Sequence, residues 1–84
     1  MTVHHLKTLP EYFDAVRRGD KTFEVRRNDR HFTEGDRVVL QRFSPVTGDL
    51  GDELKFEISY VLHGGQFGIM PGWAVLGLRE VPAS

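Results

Sequence analysis

Lys21, Glu24 and Arg26 place one acceptor between two cations within six residues. They follow Gly19 and lie in or beside Thr22-Phe23-Glu24-Val25-Arg26, a stretch that alternates with period two. On a strand, Phe23 and Val25 take one face while Glu24 and Arg26 take the other. If that second face lines a cleft, the carboxylate can accept hydrogen bonds from the amino edge of a base. The Lys and Arg can then meet phosphate or carbonyl oxygens. Strand faces often carry such pairs, so spacing alone leaves a solvated, salt-bridged surface as the competing reading. The polar run continues through Arg26-Arg27-Asn28-Asp29-Arg30. Arg27 or Arg30 suits bidentate phosphate contact, and Asn28 suits an amide-like edge. The plainer alternative is an Asx turn flanked by arginines paired with nearby acids.

Other residues join this candidate site more loosely. His5 and Lys7 share a strand face and are secondary candidates for the same cleft. The glycine-dense run His63-Gly64-Gly65-Gln66-Phe67-Gly68 lets a ligand approach backbone N–H groups. Gln66 is read as a ligand contact. Phe67 either stacks on a base or caps the core, and the second is preferred. No Gly-Lys-Ser/Thr follows these glycines, so the run is not a phosphate-binding P-loop. The histidines are His4, His5, His31 and His63. A metal site needs three or more converging ligands, and His4 and His5, being adjacent, point to opposite faces of a strand. No metal and no organic cofactor are expected.

Short elements must position these groups. Val3-His4-His5-Leu6-Lys7 reads as a strand. Thr8 reads as the N-cap of a helix of about ten residues, with Pro10 in its first turn and Glu11 at capping-box spacing. Leu9, Tyr12, Phe13 and Val16 form its apolar stripe, Tyr12 and Phe13 are assigned to the core, and Gly19 ends the helix. Asn28-Asp29-Arg30 and Glu34-Gly35-Asp36 read as turns, and Arg37 to Phe43 as a strand. Ser44 to Gly51 reads as a loop. Asp52 to Leu62 reads as a long strand with Leu54, Phe56, Ile58, Tyr60 and Leu62 on one face and Val61 on the other. Trp73 to Leu78 forms the last strand, with Trp73 in the core or at the rim, and Pro82-Ala83-Ser84 is read as a frayed end. One helix and about five strands cannot form a doubly wound sheet. The expected fold is mostly β (α+β), a small curled or closed barrel with the N-terminal helix packed on it, in a single domain covering residues 1–84.

Composition narrows the setting. The net charge is −1, which gives no global argument for a nucleic-acid partner. Locally, six of the eleven Lys and Arg fall within residues 17–30. The absence of cysteine excludes disulfides and thiolate metal sites, and fits a cytoplasmic protein. No segment is long and apolar enough to span a bilayer, and residues 1–5 lack the pattern of a signal peptide.

The pattern Gly19-x-Lys21-x-x-Glu24-x-Arg26 resembles the hallmark of the ASCH domain, a branch of the PUA-like superfamily. His5-Leu6-Lys7, Leu9 to Phe13, Gly19 to Arg30, Gly35-Asp36, Tyr60 to Gly68 and Gly72 to Leu78 resemble a small uncharacterised family of bacterial and phage ASCH-like proteins. The resemblance implies a PUA-like β-barrel with a cleft beside the Lys-x-x-Glu strand, and an RNA or modified-nucleotide ligand. A subset of that superfamily hydrolyses acetylated cytidine with a Lys, a Thr three residues later and a Glu from a later strand. Here Lys21 is kept, but Glu24 stands where that Thr would be, which removes the expected nucleophile. Thr22 is expected on the core side, without either partner. A non-catalytic binding module is therefore the leading expectation, with Lys21, Glu24, Arg26, Asn28 and Arg30 as its first contacts. The alternatives are a hydrolase using Lys21 and Glu24 in proton transfer, and a protein-interaction accessory domain.

Overall fold

Period-two patterning builds most of the molecule. The computed structural model describes residues 1–82, so of the frayed end read at Pro82-Ala83-Ser84, Ala83 and Ser84 lie outside the described residues. Strand β1 (Val3–Thr8) leads into helix α1 (Pro10–Arg17), followed by β2 (Phe23–Arg27), β3 (Arg37–Phe43), β4 (Leu50–His63) and β5 (Trp73–Glu80). The five strands form one sheet in the order β1-β3-β4-β5-β2. β1 pairs with β3 in parallel, and the other pairs are antiparallel. The sheet curls into a half-barrel, as expected, and its two edges are β1 and β2.

The concave face carries the core. Leu6, Val38, Leu40, Ile58, Val61, Ala74 and Leu76 point inward from the strands, and Phe13 and Val16 of α1 pack onto them with Phe32. The helix has eight residues rather than ten. Its N-cap is Leu9, with no side-chain cap bond, because Thr8 is still the last residue of β1. Thr8 is buried there, and its hydroxyl donates to the Leu6 carbonyl at 3.3 Å. Pro10 opens the first turn, where its missing N–H costs nothing. The helix face is split: Phe13 is fully buried, whereas Tyr12 is 46% exposed and is not a core residue.

β4 changes faces partway along. Opposite β5 the register shifts between Ile58 and Tyr60, which places an extra residue at Ser59. One extra residue moves every later side chain to the other face. Leu54, Phe56 and Ile58 therefore point to the core, but beyond the bulge the inward residue is Val61, and Tyr60 is 63% exposed. This corrects the expectation of a single apolar face running from Leu54 to Leu62. Gly77 faces the bulge, and a Cβ there would stand 2.6 Å from Ser59 Oγ.

A buried polar clamp fixes the β2–β3 connection. His4 Nε2 lies 2.9 Å from Asp36 Oδ2, and both residues are buried. Asp36 also accepts from the backbone N–H groups of Thr2 and Thr33, at 3.2 Å each. Burial alone would push this carboxyl up, but the His4 bond and the two N–H donors outweigh it, leaving its pKa below the ordinary 3.8. A folded-state pKa lowered in this way contributes stability that is present above the unfolded value and is lost as pH falls through the folded value. Thermal stability is expected to fall as pH drops below about 4. Asp36→Asn should be less stable at neutral pH and should show a flatter acid limb. Melting curves of the two proteins between neutral and acidic pH check this.

Candidate functional site

The two sheet edges meet around polar groups instead of through a backbone ladder. β2 pairs Glu24 with Leu76 and Arg26 with Ala74, so both charged side chains project onto the concave face beside core residues. Phe23 and Val25 point outward and are 42% and 48% exposed. From the other edge, Thr8 points inward. Arg26 crosses between the edges: its Nη2 donates to the Lys7 carbonyl at 3.0 Å and to Thr8 Oγ1 at 3.1 Å. Arg30 makes a parallel link, Nη1 donating to the His5 carbonyl at 2.6 Å. The arginines thus staple β1 to β2 where the barrel does not close. Arg26→Lys is expected to lower stability by about 1 kcal/mol, because a single ammonium cannot reach Lys7 and Thr8 as Nη2 does while also facing Glu24 as Nε does. Chemical denaturation of the variant measures that loss.

A pocket of about 490 Å³ lies at this seam. Lys7, Thr8, Leu9, Tyr12, Lys21, Glu24, Val25, Arg26, Arg27 and Trp73 line it. Its size is within the range of small-molecule sites. Tyr12 and Trp73 contribute ring surface, and four cations surround a single carboxylate.

Glu24 is the unusual group. It is only 5% exposed. Oε2 stands 3.5 Å from Arg26 Nε. Lys21 Nζ stands 3.2 Å from Oε1 and also donates to the Phe23 carbonyl at 2.6 Å. Oε1 is buried, with the Lys21 ammonium as its ion-pair partner.

The sequence-derived candidates separate into groups. Lys21, Glu24, Arg26 and Lys7 come together in the pocket. The Lys7 ammonium sits 5.0 Å from the centroid of the Phe43 ring. Asn28 lies outside the lining. Its Oδ1 accepts from the Phe32 N–H at 3.0 Å, four residues on, a contact that closes the loop and is longer-range than an Asx turn. Arg30 is engaged at the β1 edge. His5 lines a separate shallow groove with Val3, Val39 and Val81. Gln66 donates to the His63 carbonyl at 3.0 Å, away from the pocket. Phe67 is 83% exposed and so does not cap the core; its φ of 54° lies in the left-handed region. Among the described residues no three His, Asp or Glu side chains converge as metal ligands, and no helix is long and apolar enough to cross a membrane.

Sequence reasoning missed Thr8, Leu9, Tyr12, Val25 and Trp73 as pocket residues, whereas Arg27, which it offered as an alternative to Arg30, does line the pocket. Trp73 carried a usable signal: it follows the Pro71-Gly72 turn, where a large ring sits at a strand mouth. Arg27 extends over it, with its guanidinium carbon 5.8 Å from the ring.

Comparison with known proteins gives relatives without an assigned activity. A protein of Escherichia phage P2 described as "Uncharacterized 12.9 kDa protein in GpA 3'region" is 37% identical over 41 residues. The match covers 49% of this chain but only 38% of that relative. Residues 3–78 match a family model described as Domain of unknown function (DUF3850), and the chain belongs to that family.

Proposed function

We propose that the pocket binds a nucleotide, free or within RNA, with the base directed inward. The observation that carries this reading is the lining of the pocket, in which the single carboxylate of Glu24 stands among four cations and the rings of Tyr12 and Trp73. A carboxylate accepts from the amino and imino edges of bases. Stacking on Tyr12 or Trp73 would add about 1–3 kcal/mol per base. Lys7, Lys21 and Arg27 meet the phosphate, and Arg26 holds Glu24 in place while closing the seam. The ASCH resemblance supports the same class of ligand. It points to an RNA-binding cleft beside the Lys-x-x-Glu strand, where Lys21 and Glu24 stand.

Hydrolysis of acetylated cytidine is the less favoured alternative. The pocket does hold a hydroxyl, that of Thr8, but its proton goes to the Leu6 carbonyl and Arg26 donates to its oxygen. Among the described residues no base hydrogen-bonds to it. Incubation with acetylated cytidine followed by chromatography distinguishes the two; turnover abolished by Lys21→Ala would replace the binding reading.

Trp73 is the chain's only tryptophan and lines the pocket, so its emission reports occupancy. Titration with short RNAs at two ionic strengths should quench it. The log of the affinity should fall against the log of salt with a slope of about −0.7 per phosphate contacted. Unchanged emission at both ionic strengths would count against the proposal.

A further inference from the structure

Lys21 borders a second groove as well as the pocket. This groove has a volume of about 680 Å³ and runs between the C-terminal end of α1 and the strands β4 and β5. Arg17, Arg18, Lys21, Lys55 and Arg79 line it, against one acidic side chain, Glu80. The chain as a whole carries a net charge of −1, so this concentration of cations departs from the average surface.

Two of these cations have partners that solvent and phosphate can displace, whereas Arg79 is held by Glu57 at 2.9 Å, whose side chain is only 15% exposed. Arg17 pairs with Asp52 at 2.8 Å, with the side chains 47% and 74% exposed. Arg18 pairs with Asp20 at 3.1 Å, at 60% and 70% exposure. Such exposed pairs are each worth about 0–1 kcal/mol, so exchanging a carboxylate for a phosphate costs little. Among the described residues Lys55 makes no ion pair.

We infer that the groove takes the sugar-phosphate backbone of a single strand whose base occupies the pocket, so that the ligand is a short single-stranded nucleic acid and not a mononucleotide. This rests on the nucleotide reading of the pocket and extends it. Lys21 is the hinge between the two, because it borders the base site on one side and the groove on the other. The groove has no aromatic platform among its cations beyond Phe56, so it binds backbone while the pocket binds a base.

The test compares uridine monophosphate, a six-nucleotide oligouridylate and the matching deoxyoligonucleotide on the full chain, read by Trp73 emission. Tenfold or tighter binding of the hexamer than of the monophosphate is expected. The double variant Arg18→Ala, Lys55→Ala should bind the hexamer no better than the monophosphate and bind the monophosphate as the wild type does. Both positions are exposed, and the wild-type comparison stands independently of how the variant folds. Equal affinity of monophosphate and hexamer in the wild type would overturn the groove while leaving the pocket reading intact. Equal losses for both ligands in the variant would also overturn it. If no ligand alters the emission, both readings fail together. A preference for the ribo-oligomer over its deoxy counterpart assigns the strand as RNA through its 2′-hydroxyls, and equal binding assigns recognition to the backbone common to both.

Discussion

Glu24→Gln is expected to weaken nucleotide binding by about 10- to 100-fold, the worth of a hydrogen bond to a charged acceptor. The same change should move the melting temperature by only about 5 °C. These two halves separate a binding group from a structural one. The carboxylate is buried, which favours removing its charge. Its ion pairs with Lys21 and Arg26 involve side chains that are 18% and 24% exposed, and both cations keep other acceptors. Lys21 retains the Phe23 carbonyl, and Arg26 retains Lys7 and Thr8. Loss of the charge therefore strands neither partner. An amide fills the same volume but presents one acceptor and one donor where a carboxylate presents two acceptors. Titration and melting curves on the same preparation measure both effects. A collapse in stability at unchanged affinity would make Glu24 a structural anchor.

The second large effect is expected at Gly64. A Cβ there would run into the Met70 carbonyl oxygen and stand 2.7 Å from the Trp73 carbonyl oxygen. Both are backbone atoms, so neither can swing away. Gly64 N–H donates to the Trp73 carbonyl at 2.7 Å, and Trp73 N–H to the Met70 carbonyl at 3.1 Å, so this contact positions a pocket wall. Gly64→Ala should cost about 2–4 kcal/mol, a drop of about 10–25 °C in melting temperature. Gly65→Ala is the control: φ is +90°, but nothing lies within 4 Å of its Cβ. Conformational strain alone predicts a loss of about 1 kcal/mol there. Equal losses at 64 and 65 would contradict the close approach. Gly64 thus serves a backbone contact that sets Trp73.

Much of this was legible in the residues themselves. Alternation around Glu24 places it opposite Phe23 and Val25, and the structure keeps that division. The strand Arg37 to Phe43 follows directly from its β-rich run. The limits of the reading have physical causes. The face switch in β4 came from an extra residue at Ser59, which carries no turn signature of its own. Gly77, isolated in the facing strand, was the available clue. Tyr12 follows helical apolar spacing, yet spacing cannot tell a core from an aromatic pocket wall. Thr8 has the chemistry of an N-cap, but strand pairing with Arg42 and the Arg26 bond hold it in β1. Arg26 and Arg30 reach across the sheet edges over separations of 19 and 25 residues, which no local pattern reveals.

The most direct measurement is a nitrogen-15 amide shift map recorded while uridine or cytidine monophosphate is added. Perturbations should centre on residues 7–12, on 21–27 and on Trp73, with the Trp73 indole among the largest. Shifts confined to the outer face of β2, or no shifts at millimolar nucleotide, would contradict a base held against Glu24.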